Sequence, residues 1–136
     1  MDGQNQAADH SHETSLLFKH LGFKTVQYEE GNVVIKLEIQ DVHMNANQTL
    51  HGGIHATMID NIIGATIRSL TNLPSTTINL TIQYLKPISK GVITARAIIL
   101  LQGYKIITAE GIIYDEYNQL IAKGTGTFKV LHPRND

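Results

Sequence analysis

One segment limits what this chain can fold into. In Ile54–Leu70, residues Ile54, Met58, Ile62, Ala65 and Ser69 recur at helical spacing, and Ile59, Ile63 and Ile67 widen the stripe. The pattern predicts a helix of about seventeen residues, opened by Gly52-Gly53 and ended near Asn72 and Pro74. It is apolar around most of its circumference, so it has to be buried. Isoleucine is a mediocre helix former, so packing must override propensity. Asp60, Asn61 and Arg68 interrupt the stretch, which therefore does not read as a membrane span.

The rest of the chain supplies the cover. Val33–Ile39 alternates, with Val33, Ile35, Leu37 and Ile39 on one face and Val34, Lys36 and Glu38 on the other. Thr76–Leu85 alternates likewise, setting Ile78, Leu80, Ile82 and Tyr84 against Thr77, Asn79, Thr81 and Gln83. Val92–Leu101 and Tyr104–Tyr114 form a hairpin about Gln102-Gly103, and Gln119–Leu131 is a last strand. Upstream stand a short helix at Thr14–His20, with Thr14 as N-cap, and a strand at Phe23–Glu29. Asp41–Leu50 reads as a loop. Two strands, one buried helix and four strands define an α+β chain whose antiparallel sheet wraps a central α-helix. One helix cannot cover six strands, so part of the sheet needs a partner, which points to an oligomer.

Composition removes several classes. The 136 residues carry 11 Lys+Arg against 12 Asp+Glu, a balance that argues against a nucleic-acid partner. There is no Cys, which excludes disulfides, Cys-ligated metals and thiol nucleophiles. Residues 1–13 are polar and lack an apolar run, so they read as a flexible tail rather than a targeting signal. The expectation is one domain over residues 14–131, a C-terminal tail at 132–136, and a cytoplasmic location without membrane attachment.

Chemistry concentrates in Asn45–Asp60, NANQTLHGGIHATMID. Gly52 and Gly53 lie where a helix N-terminus exposes unpaired N–H groups, and glycine lets a carbonyl oxygen approach them. They serve either as an oxyanion site or as a sharp turn. Asp60 is a carboxylate on an apolar helix, costly unless paired or wet. It either meets a partner from elsewhere or lines a cleft, where it acts as general base or nucleophile. It lies eight residues past Gly52, ~12 Å along the axis. Reacting groups must come within ~3.5 Å of each other. Two antiparallel copies of the helix can meet that need, and one cannot. His51 and His55 have the spacing of a zinc pair, but no metalloprotease Glu accompanies them and Asp60 is poorly placed as third ligand. His51 is better read as positioning the loop or polarising a carbonyl. His10, His12, His20, His43 and His132 read as tail, surface or loop residues.

Asn45, Leu50-His51-Gly52-Gly53, Asp60 and the later Tyr84-x-x-Pro87 together resemble the hotdog-fold acyl-CoA thioesterases, in particular the PaaI-like (phenylacetic-acid-degradation) group, over roughly 14–131. The resemblance implies an enzyme that hydrolyses acyl-CoA to a carboxylic acid and CoA, with no metal and no separate cofactor, CoA being part of the substrate. It implies that Asp60 activates water or attacks the thioester and that the Gly52 N–H holds the thioester oxygen. Asn45 and His51 then hold the loop, and Thr77, where relatives often carry Ser, helps place the water on the partner side. It puts CoA near Gly53, Asn79, Tyr84, Gly103 and Lys105, with Lys86 and Lys90 available to phosphates, in a homodimer or homotetramer. Competing readings are a hydroxyacyl-thioester dehydratase using His51 and Asp60, and a non-catalytic acyl-CoA binding module.

Overall fold

The computed structural model describes residues 15–134. The tail expected at 1–13 and the Thr14 cap lie outside them. Helix α1 spans Leu16–Leu21, and its N-cap is Ser15, whose Oγ accepts from the Phe18 N–H at 3.1 Å. Strands β1 (Lys24–Glu29) and β2 (Asn32–Glu38) follow. The Asp41–Leu50 segment holds a 3-10 turn at Asp41–His43 and a Met44–Leu50 bridge. Helix α2 runs Gly52–Thr71, longer than expected, and ends on left-handed Asn72. Strands β3 (Ser75–Tyr84), β4 (Val92–Gln102), β5 (Ile106–Asp115) and β6 (Leu120–Val130) complete the chain.

The six strands form one antiparallel sheet, ordered β1-β2-β4-β5-β6-β3. Helix α2 lies on its concave face and buries Ile54, Met58, Ile59, Ile62, Ile63 and Ile67. Each Ile costs up to ~0.7 kcal/mol of helix propensity relative to Ala. Full burial of the side chain gives ~1.5–3 kcal/mol, so packing wins. The sheet beneath is lined with small residues. Gly111 faces Gly124 across β5 and β6. A Cβ on Gly111 would sit 3.0 Å from Ile59 Cγ2, and one on Gly124 would sit 3.2 Å from that atom. Glycine there lets the helix settle onto the strands.

In a single copy the sheet covers the 54/55, 58/59, 62/63 and 66/67 face of the helix, and Ala56, Thr57, Asp60, Asn61, Gly64 and Ala65 are half-buried. One expectation needs correction: β3 does not alternate without a break. Thr77 pairs with Phe128 and Asn79 with Thr127, which leaves Ile78 in a bulge. The extra residue reverses the facing of everything before it. Thr77 therefore shares the helix-facing side with Leu80, Ile82 and Tyr84 instead of opposing them, and Ile78 is exposed.

Candidate active site

The loop before α2 is built by its polar side chains. Asn45 Oδ1 accepts from the backbone N–H groups of Asn47 (2.8 Å) and Thr49 (3.1 Å), and its Nδ2 donates to Thr49 Oγ1 at 2.9 Å. Such closure on its own backbone is typical of Asn in turns. His43, expected among tail, surface or loop histidines, lies in this loop and is buried there. Its Nδ1 accepts from the Gln40 N–H and its Nε2 donates to the Leu21 carbonyl at 2.6 Å, ties that satisfy both ring nitrogens. The His43 carbonyl then accepts from the His51 N–H at 2.9 Å, and the Leu50 N–H is bound by Ile88 O at 2.7 Å. These bonds bring the His51-Gly52 step to a defined place.

At that step the first turn of α2 shares out its donors. His51 is the N-cap, and its Nδ1 accepts from the Gly53 N–H at 2.8 Å. The Ile54 N–H bonds His51 O at 2.9 Å. Among the described residues nothing accepts from the Gly52 N–H. The Tyr84 hydroxyl donates to Gly52 O at 3.0 Å, and the Tyr84 ring lies 3.4 Å from where a Gly52 Cβ would be. The Tyr84 ring also meets His55 edge to face, with centroids 5.3 Å apart. His55 is buried, and that desolvation is the main cause holding its pKa below the usual histidine value. Its Nδ1 lies 3.2 Å from His51 O. The i,i+4 spacing of His51 and His55 thus makes a ring-to-backbone bond.

Two turns along α2, Asp60 is half-buried. Its Oδ1 accepts from Thr77 Oγ1 at 2.6 Å, the length of a hydroxyl bond to a carboxylate. The bulge at Ile78 makes that contact possible, and no sequence period signals it.

The remaining expected residues divide. Gly53 and Tyr84 join Gly52 and His51 at one end of the sheet. Gly103 and Lys105 occupy the β4–β5 turn, where Lys105 O accepts from the Val130 N–H and Val130 pairs with Ser75. Ser75 and Tyr84 are the two ends of β3, roughly 30 Å apart at ~3.3 Å per residue. One chain therefore does not bring Gly103 and Lys105 to Gly52. Asn79 is exposed on the sheet's outer face. Lys86 and Lys90 line an open cleft of about 580 Å³ with Ser89, Tyr117 and Gln119, and the Lys86 ammonium bonds the Gln119 amide oxygen. Among the described residues no group of three or more His, Cys, Asp or Glu side chains could hold a metal ion. None of the helices among them is long and apolar enough to cross a membrane.

A sheet wrapped around one long helix, with His-Gly-Gly at the helix start and a carboxylate at its middle, is the architecture of a hotdog-fold protein. Comparison with known proteins agrees. The family model described as "Thioesterase superfamily" matches residues 47–122. Acyl-coenzyme A thioesterase 13 of Homo sapiens is 33% identical over 102 residues, 71% of each chain. The E. coli PaaI protein of the phenylacetic acid degradation operon superposes with a TM-score of 0.84 at 23% identity, covering 93% of this chain and 92% of its own. A Streptococcus mutans protein solved with acetyl CoA gives 0.77 at 26% identity, over 84% and 92%. The chain belongs to the thioesterase superfamily.

Proposed function

We propose that this protein hydrolyses acyl-CoA thioesters. One observation carries the reading: a single helix has at Gly52 an N–H without an acceptor among the described residues and, at its middle, a carboxylate held by the Thr77 hydroxyl. The acetyl CoA in the Streptococcus mutans relative supports the substrate class.

The Gly52 N–H, at the positive end of the helix dipole, stabilises the negative charge that forms on the thioester oxygen. Asp60 takes a proton from water as the water oxygen bonds to the acyl carbon, the C–S bond then breaks, and the CoA thiolate recovers that proton and leaves as a thiol beside the carboxylic acid. If Asp60 attacks the acyl carbon itself, the C–S bond breaks to release CoA, protonated from solvent, and leaves a mixed anhydride on Asp60, which a water then hydrolyses to the acid and the free carboxylate. Thr77 orients the Asp60 oxygen. Asn45 and His51 hold the oxyanion turn, Gly53 and Tyr84 flank it, and Lys86 and Lys90 are available to CoA phosphates. Asn79, Gly103 and Lys105 reach CoA only through a second copy. A dehydratase would use the His51 ring as acid and base, but one of its nitrogens is engaged in capping the helix.

The second copy follows from the distance between Gly52 and Asp60, ~12 Å on one helix. Strand β3 is an edge of the sheet, ten residues long, with Ile78, Tyr84 and Leu85 exposed along and beyond it. An edge of this length is a template for pairing. Two copies paired there form a dimer with Gly52 of each beside Asp60 of the other, and two dimers form a tetramer.

The test is thiol release from a panel of aromatic, medium-chain and long-chain acyl-CoAs. Wild type turns over at least one, and Asp60→Ala is slower by ~10²–10⁴-fold, the range of a lost general acid–base group. Equal rates for the two proteins across the panel sink the hydrolase reading.

A further inference from the structure

The His51–Gly52 peptide is a single plane, with the Gly52 N–H on one edge and His51 O on the other. Whatever fixes His51 O therefore aims the Gly52 N–H. The Ile54 N–H reaches that oxygen at 2.9 Å as part of the helix, and His55 Nδ1 reaches it at 3.2 Å from the side. A carbonyl can only accept, so Nδ1 carries the hydrogen and donates. His55 is in turn held in place. It is buried, and the Tyr84 ring packs against it edge to face while the Tyr84 hydroxyl grips the following peptide at Gly52 O.

Resting on the thioesterase reading above, we infer that His55 is a positioning residue for the oxyanion donor. Its Nδ1–H fixes the plane of the His51–Gly52 peptide and, by drawing on its carbonyl, makes the Gly52 N–H a stronger donor. A second hydrogen bond to an amide carbonyl polarises the whole amide, so the effect falls on the N–H as well as on its direction. His55 itself touches no reacting atom. A buried histidine is costly without such a bond, which gives the ring a reason to be where an apolar residue would pack as well.

Two variants separate the hydrogen bond from the packing. His55→Phe keeps a ring against Tyr84 and removes the donor. His55→Asn removes the ring and keeps a donor at the Nδ1 position. With acyl-CoA as substrate, His55→Phe lowers kcat about fivefold with KM within twofold, since the bond strengthens only as charge develops on the oxygen. His55→Asn stays within about twofold of wild type. His55→Phe as fast as His55→Asn, or faster, overturns the inference. A second readout does not need turnover and so stands even if the hydrolase reading fails. In an amide proton–nitrogen NMR spectrum the Gly52 peak moves further from its wild-type position in His55→Phe than in His55→Asn. The reverse order also overturns the inference.

Discussion

Thr77 reaches Asp60 because β3 skips one residue at Ile78. The consequence for activity is direct. Thr77→Val keeps the shape and loses the donor, so kcat falls about tenfold, an orientation loss of ~1.4 kcal/mol. Thr77→Ser keeps the hydroxyl and most of the rate. Stopped assays of both variants at saturating substrate decide it, and a Val variant as fast as Ser would show that the bond is idle. His55 carries a pH effect at the same scale. Burial lowers its pKa in the fold, while the unfolded chain titrates near ~6.5. Between those values the unfolded state binds more protons, so stability falls as pH drops below ~6.5 and levels off below the folded pKa. The wild-type melting temperature therefore declines more steeply from pH 7 to 5 than that of His55→Asn. Parallel declines contradict this.

At the scale of elements, α2 and the sheet set each other's spacing. Gly124→Ala removes a flexible residue from a strand, which by itself stabilises by ~0.4–1 kcal/mol. But the new Cβ would lie 2.8 Å from Thr81 O and 2.7 Å from Ile82 Cδ1. Overpacking of this kind costs ~1–3 kcal/mol, so the net effect is destabilising. Thermal melting should show a drop of several degrees, and an unchanged or raised midpoint would mean that the strand shifts without strain. The same packing decides how the helix is buried. Its apolar positions spread around the axis, yet the sheet takes only the 54/55, 58/59, 62/63 and 66/67 face, His55 and Thr66 included. The opposite, small-residue face stays half-buried.

For the whole molecule the question is where one active site ends. Under the proposed reaction, a chain that holds the donor and the carboxylate ~12 Å apart supplies half of each of two sites. Mixing Asp60→Ala with Gly52→Val under conditions of subunit exchange tests this. Each homodimer is inactive, and each heterodimer regains one intact site, so an equal mixture recovers about a quarter of wild-type activity in a two-fold dimer. No recovery despite demonstrated exchange contradicts sites shared between copies, and sedimentation as a monomer contradicts the pairing along β3.

The sequence alone determined the order of elements, the central helix and the Asn45–Asp60 segment, because these rest on local periods and turn residues that act within a few positions. It also placed His51 and His55 on neighbouring turns. Tertiary structure decided what those residues touch. The bulge that turns Thr77 toward Asp60, the burial of His43, the engagement of His55 with the His51 carbonyl and the separation of Gly103 and Lys105 from Gly52 all depend on contacts between residues far apart in the chain. A one-residue slip in strand register changes which side chains face the helix while leaving local preferences nearly the same. That is why the sequence could nominate these residues and only the packed sheet could pair them.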